Sequence, residues 1–409
     1  MKRICCLLIV LALAAVWLPA GGEGTPGAGR PTGTVLPIVE SESVTRECFF
    51  ANGTPITIRE PSADTAGWVH DEEVQAGMQD GFSPAKKPGT GSLIAWQEGE
   101  TTKYVYISGN GKIFGGSLNA DVQADVEITV KGTDVRKGFP NASFLFGGGY
   151  GGDILGSVTI TLEESQMMYV YGGGYNGSVT GDVTIRSTGT NWSLDMVGGG
   201  LASSKTADAV ADVGGNVLLD LRGITISYMD TLVCGGLAES ISPFTARANV
   251  AGSVTVYAEG RNVYQVCGGG EAYRTDETCG RPTADVGGDI SLELRDSRVR
   301  WYQDRLATLL GGVFGGGLAH WGEATTGGSV EVIVGNTLFD KEAMGVVLGG
   351  MAEGKGAVAD VEGNASGRVL SGADPARVVR GGVEYLEGPA EVKGDITWSY
   401  TLRDGLLDY

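Results

Sequence analysis

Two histidines, His70 and His320, supply all the imidazole in this chain, which leaves few places for a histidine-based zinc site or a Ser/His/Asp triad. His320 has the richer surroundings. Trp321 and Glu323 follow it, and Trp301, Tyr302, Asp304 and Arg305 stand one connection earlier in the longest repeat of the chain. Flat aromatic faces, two carboxylates and a guanidinium are the inventory of a ligand-binding loop, and an enlarged loop on a regular scaffold is where binding tends to collect. These seven residues are the candidate ligand-binding set, with residues 296–327 as its setting. No metal site and no cofactor is expected.

Carboxylates raise the possibility of polysaccharide chemistry. Lyases need carboxylates that hold calcium together with a basic proton acceptor, and hydrolases need a carboxylate pair at a set separation. Asp182, Asp289 and Asp395 occupy equivalent places in one column, but Ser or Asn stands between them in the intervening repeats. A second column contains Asp121, Asp153, Asp212, Asp285 and Asp360, and only its first two members fall in consecutive repeats. Short polar residues that bond nearby backbone in turns account for both columns. One glycine-aspartate stretch, Gly148 to Leu155, matches a calcium-binding β-roll unit, but it is not repeated in tandem, so successive turns could not share an ion.

Removal of Cys5 and Cys6 with the leader described below leaves Cys48, Cys234, Cys267 and Cys279. Cys234 and Cys267 each precede a glycine cluster in successive repeats. Stacked strands would bring them about 4.8 Å apart, which is compatible with a disulfide. Two reduced cysteines filling one core column fit the same spacing.

The elements that position these residues are set by a repeat. A segment of the form polar–Val/Ile–x–Gly–polar–Val/Ile recurs around Val122, Ile154, Val179, Val213, Val250, Val286, Thr326, Val361 and Val392. Glycine clusters alternate with it, from Gly115-Gly116 through Gly147 to Gly149 and on to Gly381-Gly382. Each repeat offers three short extended stretches, such as Asp182-Val183-Thr184-Ile185 and Tyr169-Val170-Tyr171. This pattern predicts an all-β chain, a right-handed parallel β-helix of about nine rungs, with the glycines allowing sharp turns and close backbone approach. At about 4.8 Å per rung the core would be a rod of roughly 40–45 Å.

The expected organisation is a signal peptide at 1–20, a flexible leader at 21–45, an N-terminal β cap at 46–114, the parallel β-helix at 115–400 and a C-terminal tail at 401–409. Lys2 and Arg3 precede the apolar run Ile4 to Leu18, which small residues follow, as in a secretory signal. Loss of those two cations takes the net charge from −19 to −21. With no basic cluster to offset it, a nucleic-acid partner is not expected. Stable membrane insertion of the mature chain is not expected either.

Two stretches carry a family resemblance. Phe50-Ala51-Asn52-Gly53-Thr54-Pro55-Ile56-Thr57-Ile58, then Leu93-Ile94-Ala95-Trp96 and Lys112-Ile113-Phe114-Gly115-Gly116, resemble the lead-in of secreted, adhesin-like β-helix proteins of gut Gram-positive bacteria. Repeats such as Val170-Tyr171-Gly172-Gly173-Gly174 resemble the rungs of the same group. The resemblance implies a secreted or cell-surface protein that binds an extracellular glycan or protein without catalysis. Leu402 to Tyr409 departs from that pattern, with neither a sorting motif nor a membrane helix, which puts cell-wall anchoring in doubt and leaves the mode of surface attachment open. The competing expectation is a polysaccharide-active β-helix enzyme, a lyase or a glycoside hydrolase.

Overall fold

In Val158–Glu163 the side chains of Val158, Ile160 and Leu162 are buried and those between them are not, the period-2 pattern of a strand with one face on a core. The computed structural model describes residues 32–41, 44–59, 91–108, 111–131, 141–165, 167–191, 193–222, 224–225, 229–300, 311–370, 372–373, 378–385, 388–402 and 405–408. Among these there are strands and no helix. Most strands form long parallel sheets, pairing with strands roughly one repeat away along the chain, an architecture consistent with a β-solenoid.

Val126–Lys131, Val158–Glu163, Val183–Thr188, Val217–Arg222, Val254–Glu259, Ile290–Arg295 and Val330–Gly335 stack in parallel register in the first sheet. A second sheet runs through Lys112–Phe114, Asn141–Phe146, Met167–Tyr171, Asp195–Val197, Met229–Val233, Asn262–Cys267 and Gly312–Phe314. Leu145, Val170, Met196, Leu232 and Val266 of this sheet meet the inward side chains of the first in one continuous core. The nine Val/Ile/Thr positions of the sequence repeat are joined, each to the next, by parallel bridges from Val122 to Val392.

The opposite face of the second sheet is also covered. Phe50, Phe114, Phe146 and Tyr171 stack ring on ring, with centroids 5.1, 4.9 and 4.6 Å apart. Tyr150 and Tyr175, which follow the glycine clusters, turn back onto this stack edge-on. The residues before and after each glycine cluster therefore share one corner of the coil. The middle glycine of the cluster explains the sharpness. A Cβ on Gly173 would lie 2.7 Å from the backbone nitrogen of Gly200, and one on Gly148 would lie 2.6 Å from that of Gly174. Close approach of neighbouring repeats requires glycine here, not a left-handed backbone.

A third, six-stranded parallel sheet begins beyond the corner with Leu201–Ser204 and continues through Leu237–Ser240, Glu271–Arg274, Leu318–His320, Met351–Glu353 and Val383–Tyr385. One face is a column of alanines, Ala202, Ala238, Ala272, Ala319 and Ala352, packed on further alanines. Its other face carries the polar residues described below.

The structure adds detail at three places. Residues 34–41, placed within a flexible leader, form strand Thr34–Ser41 antiparallel to Val44–Phe50. Ile38 is buried and Leu36, two residues before it, packs on the same aromatic cluster, so the segment has an apolar face to bury. Pro37 fits because this is an edge strand. Beyond residue 401, Gly405–Asp408 pairs antiparallel with Ile396–Leu402 and closes that end of the first sheet. Finally, Cys234 and Cys267 form no disulfide: both are free and buried. Two glycines follow Cys234 and three follow Cys267, and register places Cys267 beside Val233. The one-residue offset sends Cys234 into the main core and Cys267 to the opposite face, beside Phe314 and Leu318.

Candidate functional site

The recurrent carboxylates are held by backbone. Asp125 Oδ1 accepts from Ser157 N at 2.8 Å, and the chain of contacts continues through Asp182, Asn216, Ser253, Asp289, Ser329 and Asn364 to Asp395 N, 2.8 Å from Asn364 Oδ1. The second column behaves alike. Asp121 accepts from Asp153 N at 3.1 Å, Asp153 from Ser178 N at 2.7 Å, and Asp212 from Asn249 N at 2.9 Å. Each side chain caps the next repeat's turn, which explains why Asp, Asn and Ser interchange there.

Of the seven residues expected to bind ligand, Trp301, Tyr302, Asp304 and Arg305 lie outside the described residues. Glu323 pairs with Arg281 at 3.2 Å. His320 ends strand Leu318–His320 and keeps 6% of its exposure. Trp321 follows it in a left-handed conformation, φ 55°, which is costly for a bulky side chain. Its indole lies against Gly354, where a Cβ would come within 1.8 Å of Nε1.

Register gathers other residues around His320. Its strand pairs His320 with Glu353, and Nδ1 lies 2.9 Å from Glu353 Oε2. The Nδ1 hydrogen is thereby directed to a carboxylate, and this fixes the ring. Nε2 faces Glu271 Oε1 at 3.9 Å, within ion-pair range but beyond a hydrogen bond. It has no hydrogen-bond partner among the described residues. The half-buried Tyr273 sets its ring edge-on to the imidazole, with centroids 6.2 Å apart. Glu239 is paired in register with Tyr273 and is buried.

No protein-family model, curated protein or solved structure matches the chain.

Electrostatics at this corner follow from burying like charges. Burial, and then the Glu271 charge, push the Glu239 carboxyl up to about 7, against the pull of a Ser203 hydrogen bond and of Lys205 and Lys112. Burial likewise raises Glu271, with His320 opposing. For His320, burial alone would depress the pKa, but the Glu353 hydrogen bond and the Glu271 and Glu353 charges outweigh it and raise the imidazole above its usual range. Tyr171 across the corner is raised by burial and by Asp195 and Glu239. The corner can therefore hold or exchange protons near neutral pH, and it can bond a polar group at Nε2 and Glu271.

Sequence reasoning found His320 and missed Glu239, Glu271, Tyr273 and Glu353. The signal was present as a break in pattern. Glu271 interrupts an otherwise apolar column, Leu201, Leu237, Leu318, Met351 and Val383, whose members suit interior packing. Two residues along each strand, Glu239, Tyr273, His320 and Glu353 form the parallel column.

Proposed function

We propose that the chain is a secreted, right-handed parallel β-helix of about nine rungs, acting as a non-catalytic, adhesin-like binding module for extracellular glycans or proteins at the cell surface or beyond it. The observation that carries the reading is the different employment of its polar side chains. The many column carboxylates accept hydrogen bonds from neighbouring backbone, whereas His320 Nε2 is buried and faces Glu271 with a hydrogen-bonding position unfilled. Half-buried Tyr273 sets its ring against the imidazole and half-buried Trp321 follows His320 in the chain, both rings of the kind sugars stack on. Secretion is supported by the charged, apolar and small-residue succession of residues 1–22, and a partner other than nucleic acid by the net charge of −19.

A second reading, a polysaccharide-active enzyme, is favoured by one observation: Glu239, held near pH 7, shares its corner with Glu271 and a carboxylate-oriented histidine. Incubation with a panel of neutral and acidic polysaccharides, with and without calcium, separates the two. Retention on a glycan without chain cleavage is the expected result. Cleavage at catalytic rates would overturn the binding-module reading and make the corner an active site.

A further inference from the structure

The His320 corner is incomplete on its own. With Nδ1 bonded to Glu353, a neutral ring presents an unfilled lone pair at Nε2, and a charged ring presents an N–H with no acceptor in hydrogen-bond range. Neither protonation state satisfies the atom, although His320 is more than nine-tenths buried. Opposite it, Glu271 Oε1 lies 3.9 Å away. An oxygen bonded to both atoms at about 2.8 Å would sit to one side of the line joining them, accepting from Nε2–H and donating to the carboxylate. A hydroxyl does both at once, and both bonds are charge-assisted.

Charge narrows the class. Glu271 and Glu353 face His320 from either side of its ring, and Glu239 lies close enough to Glu271 to feel its charge. A uronate or sulfate brought here would add a like charge to a buried acidic corner. The cations near it, Lys112 and Lys205, act on Glu239. A divalent ion is a poor alternative, because no group of three or more His, Cys, Asp or Glu side chains among the described residues is arranged to hold one. The surroundings suit a sugar ring, since Tyr273 lies edge-on to the imidazole and Trp321 follows His320 with its indole against Gly354.

Resting on the binding-module reading above, we propose that this corner is a subsite for neutral glycans, gripping one sugar hydroxyl between His320 Nε2 and Glu271 Oε1, with Tyr273 and Trp321 packing on the ring. It discriminates against acidic polysaccharides.

The test measures retention and affinity of the full chain on neutral glycans (glucans, galactans and mannans) and on polygalacturonate and a sulfated glycosaminoglycan. Binding to at least one neutral glycan, with none to the acidic ones, is expected. On that glycan Glu271→Gln keeps the shape of the site but gives up the charge, and weakens binding by about 5–10-fold. His320→Ala weakens it by at least 10-fold or so, in line with loss of a charged bond. Glu331→Gln, whose carboxylate pairs with Arg368 on the first sheet, leaves affinity unchanged. Far-ultraviolet circular dichroism verifies the fold of each variant, and the isosteric Glu271→Gln carries the conclusion if His320→Ala does not fold. Retention on acidic glycans equal to that on neutral ones, or neutral-glycan binding indifferent to Glu271→Gln, overturns this inference alone. Failure to retain any glycan overturns it together with the glycan part of the reading on which it rests.

Discussion

The polar turn columns and the His320 corner use the same side chains to opposite ends. In the columns, Asp182 and Asp289 sit near solvent, and each offers an oxygen to a backbone N–H of the next repeat at 2.7 Å. Every such bond is local, repeats along the stack and tolerates exchange among Asp, Asn and Ser. At the corner, Glu271 and Glu353 face a single histidine and Glu239 lies near Glu271, in a buried place where their charge is costly. Recurrence in this chain therefore marks what stabilises the coil. Interruption marks what the coil carries at its own expense, as binding sites commonly do.

Breaking a recurrent position where no adjustment is available should give the largest effect. The middle glycine of each cluster is glycine from Gly116 to Gly381, and a methyl group on Gly173 would press on Gly200 backbone from 2.7 Å. Gly173→Ala should cost on the order of 3 kcal/mol, read as a fall in the denaturant midpoint. The flanking column is less strict, because Cys234 and Leu348 occupy it with their side chains in the main core.

Almost as large is the expected pH dependence of the corner. Glu239 rises from 4.5 in the unfolded chain to about 7 in the folded one. A carboxyl raised in this way contributes stability that is fully present below the unfolded value and is lost as pH rises through the folded one. The window is therefore about pH 4.5 to 7, and on the order of 3 kcal/mol should disappear across it. Glu271 and His320 are raised as well and act in the same sense. Denaturation of the native chain and of Glu239→Gln at pH 5 and pH 8 isolates the term. A difference between the two proteins that does not change with pH would show that Glu239 is ordinary.

Replacing the odd member of an apolar column should reverse the usual sign of mutation. Leu201, Leu237 and Leu318 fill the positions equivalent to Glu271, so leucine fits there. His320 retains Glu353. Glu271→Leu should stabilise the fold by about 1–2 kcal/mol near pH 8, while abolishing glycan retention. Gain of stability with retention intact would remove the corner from the function.

The coil was legible in the sequence because its causes are periodic. Val158-Thr159-Ile160-Thr161-Leu162 announces a strand, and the Asp/Asn/Ser columns announce their turns before any contact is known. The corner was legible only through Trp321 and its neighbour His320, whose rarity drew notice. Its partners lie 33 and 49 residues away in sequence and meet it through register, Glu353 directly and Glu271 through the Ala272 to Ala319 pairing. A glycine cluster of two against one of three shifts that register by one residue. This is why Cys234 and Cys267, in phase when counted from the cysteines, face opposite ways when aligned from the far glycines.

The smallest effect tests the other half of the comparison. Asp182 Oδ1 accepts from Asn216 N at 2.7 Å, and its own N–H donates to Ser157 Oγ at 3.2 Å. Asp182→Ala removes the first bond, together with one that Oδ1 accepts from Asn216 Nδ2 at 3.2 Å, and leaves the second, so the loss should be about 1 kcal/mol. Asp182→Asn keeps an acceptor oxygen, as Asn216 does for Ser253 at 2.9 Å, and should change stability by less than about 0.5 kcal/mol. Neither substitution should alter glycan retention, because the bond joins turn to turn and touches nothing at the corner. If Asp182→Asn weakened retention as much as Glu271→Gln does, the column carboxylates would belong to the binding surface, and the division between recurrent scaffold and interrupted site would fail.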